Sequence, residues 1–172
     1  MKKIILIAVM LIGSYTSFAQ TSVFDKFEDM DDVTTVVVNK EAFNMLSSFK
    51  GNDPESQEYV KMVQNLKSLK VFTTESAKIA TQMKNVVSSY LKTAKLTELM
   101  RVKDKDAHVK IYVRKGKDEN HVSELLMFVS DLQNKADQQA VILSLTGDID
   151  LNKISELTST YIPKKGKQHK EQ

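Results

Sequence analysis

Asp148 and Asp150, on either side of Ile149, are the residues of this sequence best spaced for carboxylate chemistry. Two carboxylates at that spacing, on a strand-to-helix turn, can hold a cation or work as a general acid and base. The spacing serves folding equally well. Asp148 reads as a turn residue, and Asp150 as an N-cap whose oxygen accepts a helix-end N–H. Capping is the favoured reading. If a ligand or partner contacts this turn, Gly147, Asp148 and Asp150 are the residues it meets.

The other constellations are thinner. Asp29, Asp31 and Asp32 suggest calcium, but an EF-hand loop needs ligands continuing at alternate positions, a glycine at the turn and a distal glutamate. Val33 holds the next alternate position and no glycine follows. His108 and His121 fall on consecutive strands. Pairing around the Lys115–Asn120 loop places His121 near Arg114, which disfavours a cation, and His108 opposite a residue near Met127. His169 lies in the tail, so all three read as surface histidines. Two Ser-x-x-Lys tetrads, Ser47–Lys50 and Ser89–Lys92, match what chance gives a chain with 15 Ser and 23 Lys. Of the eight methionines, Met62 and Met83 sit on helix stripes and Met100 and Met127 on strands. They read as core packing before an adaptable binding face.

Composition removes whole classes of chemistry. The chain of 172 residues has no Cys, which excludes disulfide scaffolds, thiol nucleophiles, Cys-based zinc sites and a lipid-anchored N-terminal cysteine. Five glycines leave no phosphate-cradling loop. No cofactor, catalytic residue or metal ligand is expected.

Both ends stand apart from the fold. Lys2 and Lys3, the apolar run Ile4–Ile12 and the small residues of Ser17-Phe18-Ala19 read as a secretory signal over residues 1–19. The run is too short to cross a hydrocarbon core, which takes about 20 residues. Residues 163–172 read as a basic disordered tail, in which Lys164, Lys165, Lys167 and Lys170 face one acid, Glu171. Between the ends, residues 20–163 hold 19 basic and 21 acidic residues, a net −2. The pI near 8.9 therefore belongs to the termini, and a basic face for nucleic acid is not expected. Electrostatic contact of the tail with anionic lipid would be salt-sensitive.

The elements that would position these residues follow from periodicity. Val23, Phe24, Phe27 and Met30 predict a short acidic helix, and Val33–Val38 a buried strand. Ala42, Phe43, Leu46 and Phe49 predict a helix stopping near Gly51. Asp53-Pro54 begins another, with Tyr59, Met62, Val63 and Leu66 inward. Leu69–Thr73 reads as a short strand, and Thr73 or Thr74 as the cap of the longest helix, carrying Ile79, Met83, Val86 and Tyr90. The period then becomes two. Leu99–Val102, Ala107–Val113, Val122–Val129 and Ala140–Leu145 read as strands, the last ended by Gly147. Asp150 caps a final helix with Leu151, Ile154, Leu157 and Tyr161 inward, stopped by Pro163. Residues 20–162 thus read as one α+β domain, a largely antiparallel sheet of about six strands with helices packed on one face.

Phe24-Asp25-Lys26-Phe27 leading into Val33–Val38 and Phe43-Asn44-Met45-Leu46 has a family look. So does Val122-Ser123-Glu124-Leu125-Leu126-Met127 followed by Ser144-Leu145-Thr146-Gly147-Asp148-Ile149-Asp150-Leu151. Together they resemble the Bacteroidetes-type secreted family known as domain of unknown function 4252, over residues 22 to 161. The resemblance implies an envelope protein and brings no catalytic residues with it. Many members look like lipoproteins, a pattern from which this cysteine-free chain departs. It also implies a link to envelope-stress sigma factors.

The expected function is that of a non-enzymatic periplasmic domain, exported by a cleaved signal and not lipid-anchored, that binds another cell-envelope protein. The alternatives are a regulator in envelope-stress (sigma/anti-sigma) signalling and a small-ligand carrier with a pocket between the long helix and the sheet. No nucleic-acid partner and no membrane insertion are expected. A bare apolar second sheet face would be an interface.

Overall fold

Runs of β-branched and aromatic residues become six strands, and the helical-period stripes become three helices, in the computed structural model of this chain. The structure describes residues 22–48, 54–103, 108–130 and 140–153. In chain order these hold β1 (Thr34–Val38), α1 (Lys40–Leu46), α2 (Pro54–Gln64), β2 (Leu66–Thr74), α3 (Ala77–Thr93), β3 (Thr97–Lys103), β4 (His108–Lys115), β5 (His121–Ser130) and β6 (Ala140–Asp150). The expected signal (1–19), the helix stop at Gly51, the cap at Asp53, the final helix beyond residue 153 and the tail (163–172) lie outside the described residues.

The strands form one sheet in the order β1-β2-β6-β5-β4-β3, with every neighbouring pair antiparallel. β3 to β6 make the expected meander. β2 joins outside β6, and α3 carries the chain from β2 across to β3 at the far edge. The α+β class and the six antiparallel strands are as the periodicity requires.

The helices, expected on one face, are instead divided between two. The reason lies in β5 and β6, which are apolar on both sides and need cover on both. On the first face Phe72, Ile142, Phe128 and Leu126 meet Ile79, Met83 and Val87 of α3, all buried. On the second, Leu125, Leu145, Val113 and Ile149 meet Phe43 of α1, with Val63 of α2 alongside. Asn39 caps α1 through a bond from the Ala42 N–H (2.9 Å), and Lys40 Nζ donates to the Gln64 carbonyl at the end of α2.

Two boundaries differ from expectation. The N-terminal segment makes a single 3-10 turn, Asp25–Phe27, in place of a helix. Its helical spacing comes from tertiary burial: Phe24 and Phe27 both enter the first-face core, where the Phe27 ring lies 6.0 Å from that of Phe72. Lys70 of β2 fastens the turn by pairing with Asp25 and Glu28. Partial burial works against the Lys70 ammonium, but the two carboxylates outweigh it and hold its pKa above the usual lysine value. The long helix begins at Ala77 behind Ser76, later than the expected cap at Thr73 or Thr74. Thr74 instead works just outside it: its hydroxyl accepts from the Ser76 N–H (3.1 Å) and donates to the Asp32 carbonyl (2.7 Å).

Candidate interaction surfaces

Gly147 does not end β6, which runs on to Asp150. The glycine has a φ of +142°, and a β-carbon there would sit 2.5 Å from the Asn65 oxygen and 2.7 Å from the Leu66 Cα. The pairing register with β2 shifts between Leu66 and Ser68, opposite this point. Gly147 thus lets the start of β2 approach the backbone of β6, and the Asp148 N–H donates to the Asn65 carbonyl at 2.9 Å.

Beyond the glycine, Asp148 and Asp150 flank the buried Ile149 on a strand, where alternate residues share a face. Lys117 Nζ reaches Asp148 at 2.6 Å, and that bond raises the lysine's pKa. His121 Nε2 lies 4.0 Å from Asp148, while its Nδ1 lies 2.7 Å from Asp118. The histidine holds the Asp118 carboxyl below the usual range. Asp150 accepts from the Asn152 N–H at 3.0 Å, the capping bond expected of it. The three candidate residues of this turn therefore each have a folding role: close approach, ion pairing and capping.

The histidines are placed otherwise than expected. Arg114 stands opposite Glu124, not His121, and His108 stands opposite Ser130, three positions beyond Met127. A register shift between Arg114 and Lys115 lengthens the pairing. Among the described residues, no group of three or more His, Asp or Glu is arranged to hold a metal ion. Asp31 and Asp32 line an open cleft of about 520 Å³ beside Thr73, Thr74 and Ser76.

Sequence reasoning missed the ionic centre of the first face. Glu124 is 6% exposed, and accepts from Tyr90 Oη (2.7 Å) and from Arg114 Nε (3.1 Å) and Nη2 (2.8 Å). Burial, followed by the bond to Glu124, pushes the Tyr90 hydroxyl from 10.0 up to about 12. A raised folded value keeps this contribution to stability whole below pH 10, and removes it as pH climbs toward 12. The stability gap between the wild type and Tyr90→Phe, from urea melts at stepped pH, should be widest below pH 10 and should narrow above it. A constant gap would mean that Tyr90 does not titrate late. The signal available was Glu124, a carboxylate in phase with Leu126 and Phe128 on β5.

Three surfaces of the sheet are exposed or only partly covered among the described residues. On the second face, register builds two cross-sheet rows: Val36-Val71-Leu143-Met127-Ile111-Met100 and Thr34-Thr73-Val141-Val129-Val109-Val102. None of these twelve is buried, although the next row holds the buried Leu145, Leu125 and Val113. The two edge strands are the other surfaces. Every residue of β3 is exposed, but a bulge between Glu98 and Met100, together with Arg101 and Lys103, guards that edge. β1, Thr34 to Val38, carries no charge and no proline, and pairs with β2 without a break. Val36 and Val37 are 49% and 47% exposed. A groove of about 640 Å³ beside Lys26, Asn85, Ser89 and Tyr90 lies on the outer side of α3. The space between α3 and the sheet, where a carrier's pocket was expected, is filled by Phe72, Met83 and Leu126.

A single antiparallel sheet of six strands with helices on both faces defines an α+β domain. The chain belongs to the family described as Domain of unknown function (DUF4252), whose model matches residues 27–157. No curated protein and no solved structure matches it.

Proposed function

We propose that this chain works without catalysis, as an exported domain of the cell envelope that binds another envelope protein, and that it does so along the edge of β1. The carrying observation is that edge: five uncharged β-branched residues, of which Thr34, Val36 and Val37 are exposed, with the outward backbone groups of an edge strand. The partner it fits is an extended segment of a protein, which adds a strand by main-chain hydrogen bonds and settles its side chains beside Val36 and Val37. Five residues of pairing make a transient contact rather than a permanent one.

Export rests on the leader at residues 1–19. A periplasmic home free of lipid anchorage rests on that leader and on the absence of cysteine. Among the described residues no helix is long and apolar enough to cross a membrane. The envelope-stress reading is a special case, in which the partner is a membrane anti-sigma protein.

The test is cross-linking in living cells of the tagged mature protein against Val36→Lys. An exposed substitution of this kind should change stability by no more than about 0.5 kcal/mol, yet a lysine on the edge should abolish the adduct. An adduct that survives Val36→Lys places the contact elsewhere. Hydrolysis of an ester, phosphate or glycoside by the purified protein, lost in Asp148→Ala or Asp150→Ala, would overturn the non-enzymatic reading.

A further inference from the structure

We infer that the groove between the N-terminal turn and the flank of α3 binds a short oligosaccharide carrying a carboxylate. Its volume is about 640 Å³, within the ~300–1,000 Å³ usual for a ligand site. Three observations say what it would hold.

First, one wall is a row of neutral polar side chains. Gln82, Asn85, Ser89 and Thr93 follow one another at steps of three and four along α3, so they share a flank. The row spans about 16 Å at the rise of a helix. Among the described residues, the side chains of Gln82, Asn85 and Ser89 make no hydrogen bond within the protein. Carboxamides and hydroxyls both donate and accept, which is the mixed pattern that sugar hydroxyls require.

Second, Val23, Val86 and Tyr90 supply an apolar surface on which the C–H face of a sugar ring can lie. The Tyr90 hydroxyl is already held by Glu124 and Arg114, and Phe24 meets its ring edge-on, 5.3 Å between centroids. The ring is therefore fixed in place.

Third, the N-terminal segment sorts its charges. Asp25 and Glu28 pair with Lys70, and Asp31 and Asp32 line the other cleft. Lys26 lines this groove, rests over the Phe27 ring at 5.1 Å and makes no ion pair among the described residues. It is the one charged side chain among the described lining residues. The groove thus offers a single positive charge beside a neutral polar row.

Other ligands fit less well. A metal ion would find no carboxylate among the described lining residues. A lipid tail would strip water from four polar side chains and return no hydrogen bonds. A multiply charged phosphate would meet one ammonium only.

The test uses the full mature chain and two probes of equal length. One is a tetrasaccharide of alternating N-acetylglucosamine and glucuronate, the other the neutral tetramer of N-acetylglucosamine. Titration followed by amide NMR shifts reads both affinity and place. The acidic probe should bind about tenfold tighter than the neutral one, through one charge-assisted hydrogen bond. The shifts should be confined to residues 23–26 and 82–93. Lys26→Gln should bring the two affinities together. Ser89→Trp, at an exposed position, should fill the groove and abolish both, at an unchanged urea midpoint. Binding of neither probe by the wild type, equal affinity for the two, or binding that survives Ser89→Trp would overturn the inference. The β1-edge proposal is read by Val36→Lys, which should leave the groove unaffected, so the two proposals fail separately.

Discussion

Gly147→Val should lower the unfolding free energy by about 3 kcal/mol, a loss set by backbone strain and a close approach that no side chain can relieve. At φ +142° an L-residue is strained whatever space surrounds it. Here the atoms a β-carbon would strike, at 2.5 and 2.7 Å, are the Asn65 carbonyl oxygen and the Leu66 Cα, backbone atoms at the start of β2. Relief would require β2 and β6 to separate where the Asp148 N–H donates to Asn65, and where Leu66 is buried beneath the second face. The two strands lie in the middle of the sheet, so the cost falls on global stability. Urea denaturation of the purified mature protein measures it. A change below about 1 kcal/mol would mean that the β6 bulge does not constrain the fold.

Phe72→Ala should cost about as much or more, roughly 3–5 kcal/mol. Phe72 is fully buried on β2, opposite Ile142, with Phe27 packed on it and Met83 of α3 in the same cluster. Deleting the ring opens a cavity between three separate elements: the N-terminal turn, the sheet and the helix. None can collapse into it without disturbing the others, so the cost lies at the upper end for such truncations. The denaturant midpoint should fall with little change in slope, because the surface exposed on unfolding is nearly the same. Val102→Ala, on an exposed stretch of β3, should change the midpoint hardly at all. Equal effects from the two substitutions would contradict the contrast between a dry first-face core and an exposed edge strand.

Much of this fold is legible in the sequence because strand periodicity is local. The alternation of Val109, Ile111 and Val113 marks β4, and the apolar run from Ala140 marks β6 as central. What was hidden depends on partners far along the chain. Gly147 reads locally as a stop, yet it keeps β6 going because β2, some eighty residues earlier, needs its missing side chain. The Phe24–Phe27 spacing imitates a helix but is set by the core that both rings enter. The neighbourhood of His121 rests on β5 pairing with β6 and on the register shift at Arg114–Lys115. Neither can be counted from a loop length. Helix placement was misjudged for a related reason: a nearly continuous apolar strand gives no sign of which face needs cover, and β5 and β6 need it on both.

The candidate turn was partly legible. The capping role of Asp150 follows from its position before Leu151, and the structure has that bond. The ion pair of Asp148 with Lys117 does not follow, since the lysine comes from the hairpin loop between β4 and β5. The contrast between the two sheet edges could have been read from composition. Arg101 and Lys103 charge one, while Thr34–Val38 carries none.

The central claim, that a partner adds to the edge of β1, is tested most directly by placing a photoactivatable residue singly at Val36, Val37, Met100 and Val102 in cells and identifying the adducts. The account predicts one envelope protein captured from both Val36 and Val37, and not from Met100 or Val102. Capture from the β3 positions alone, or from none of the four, would contradict it.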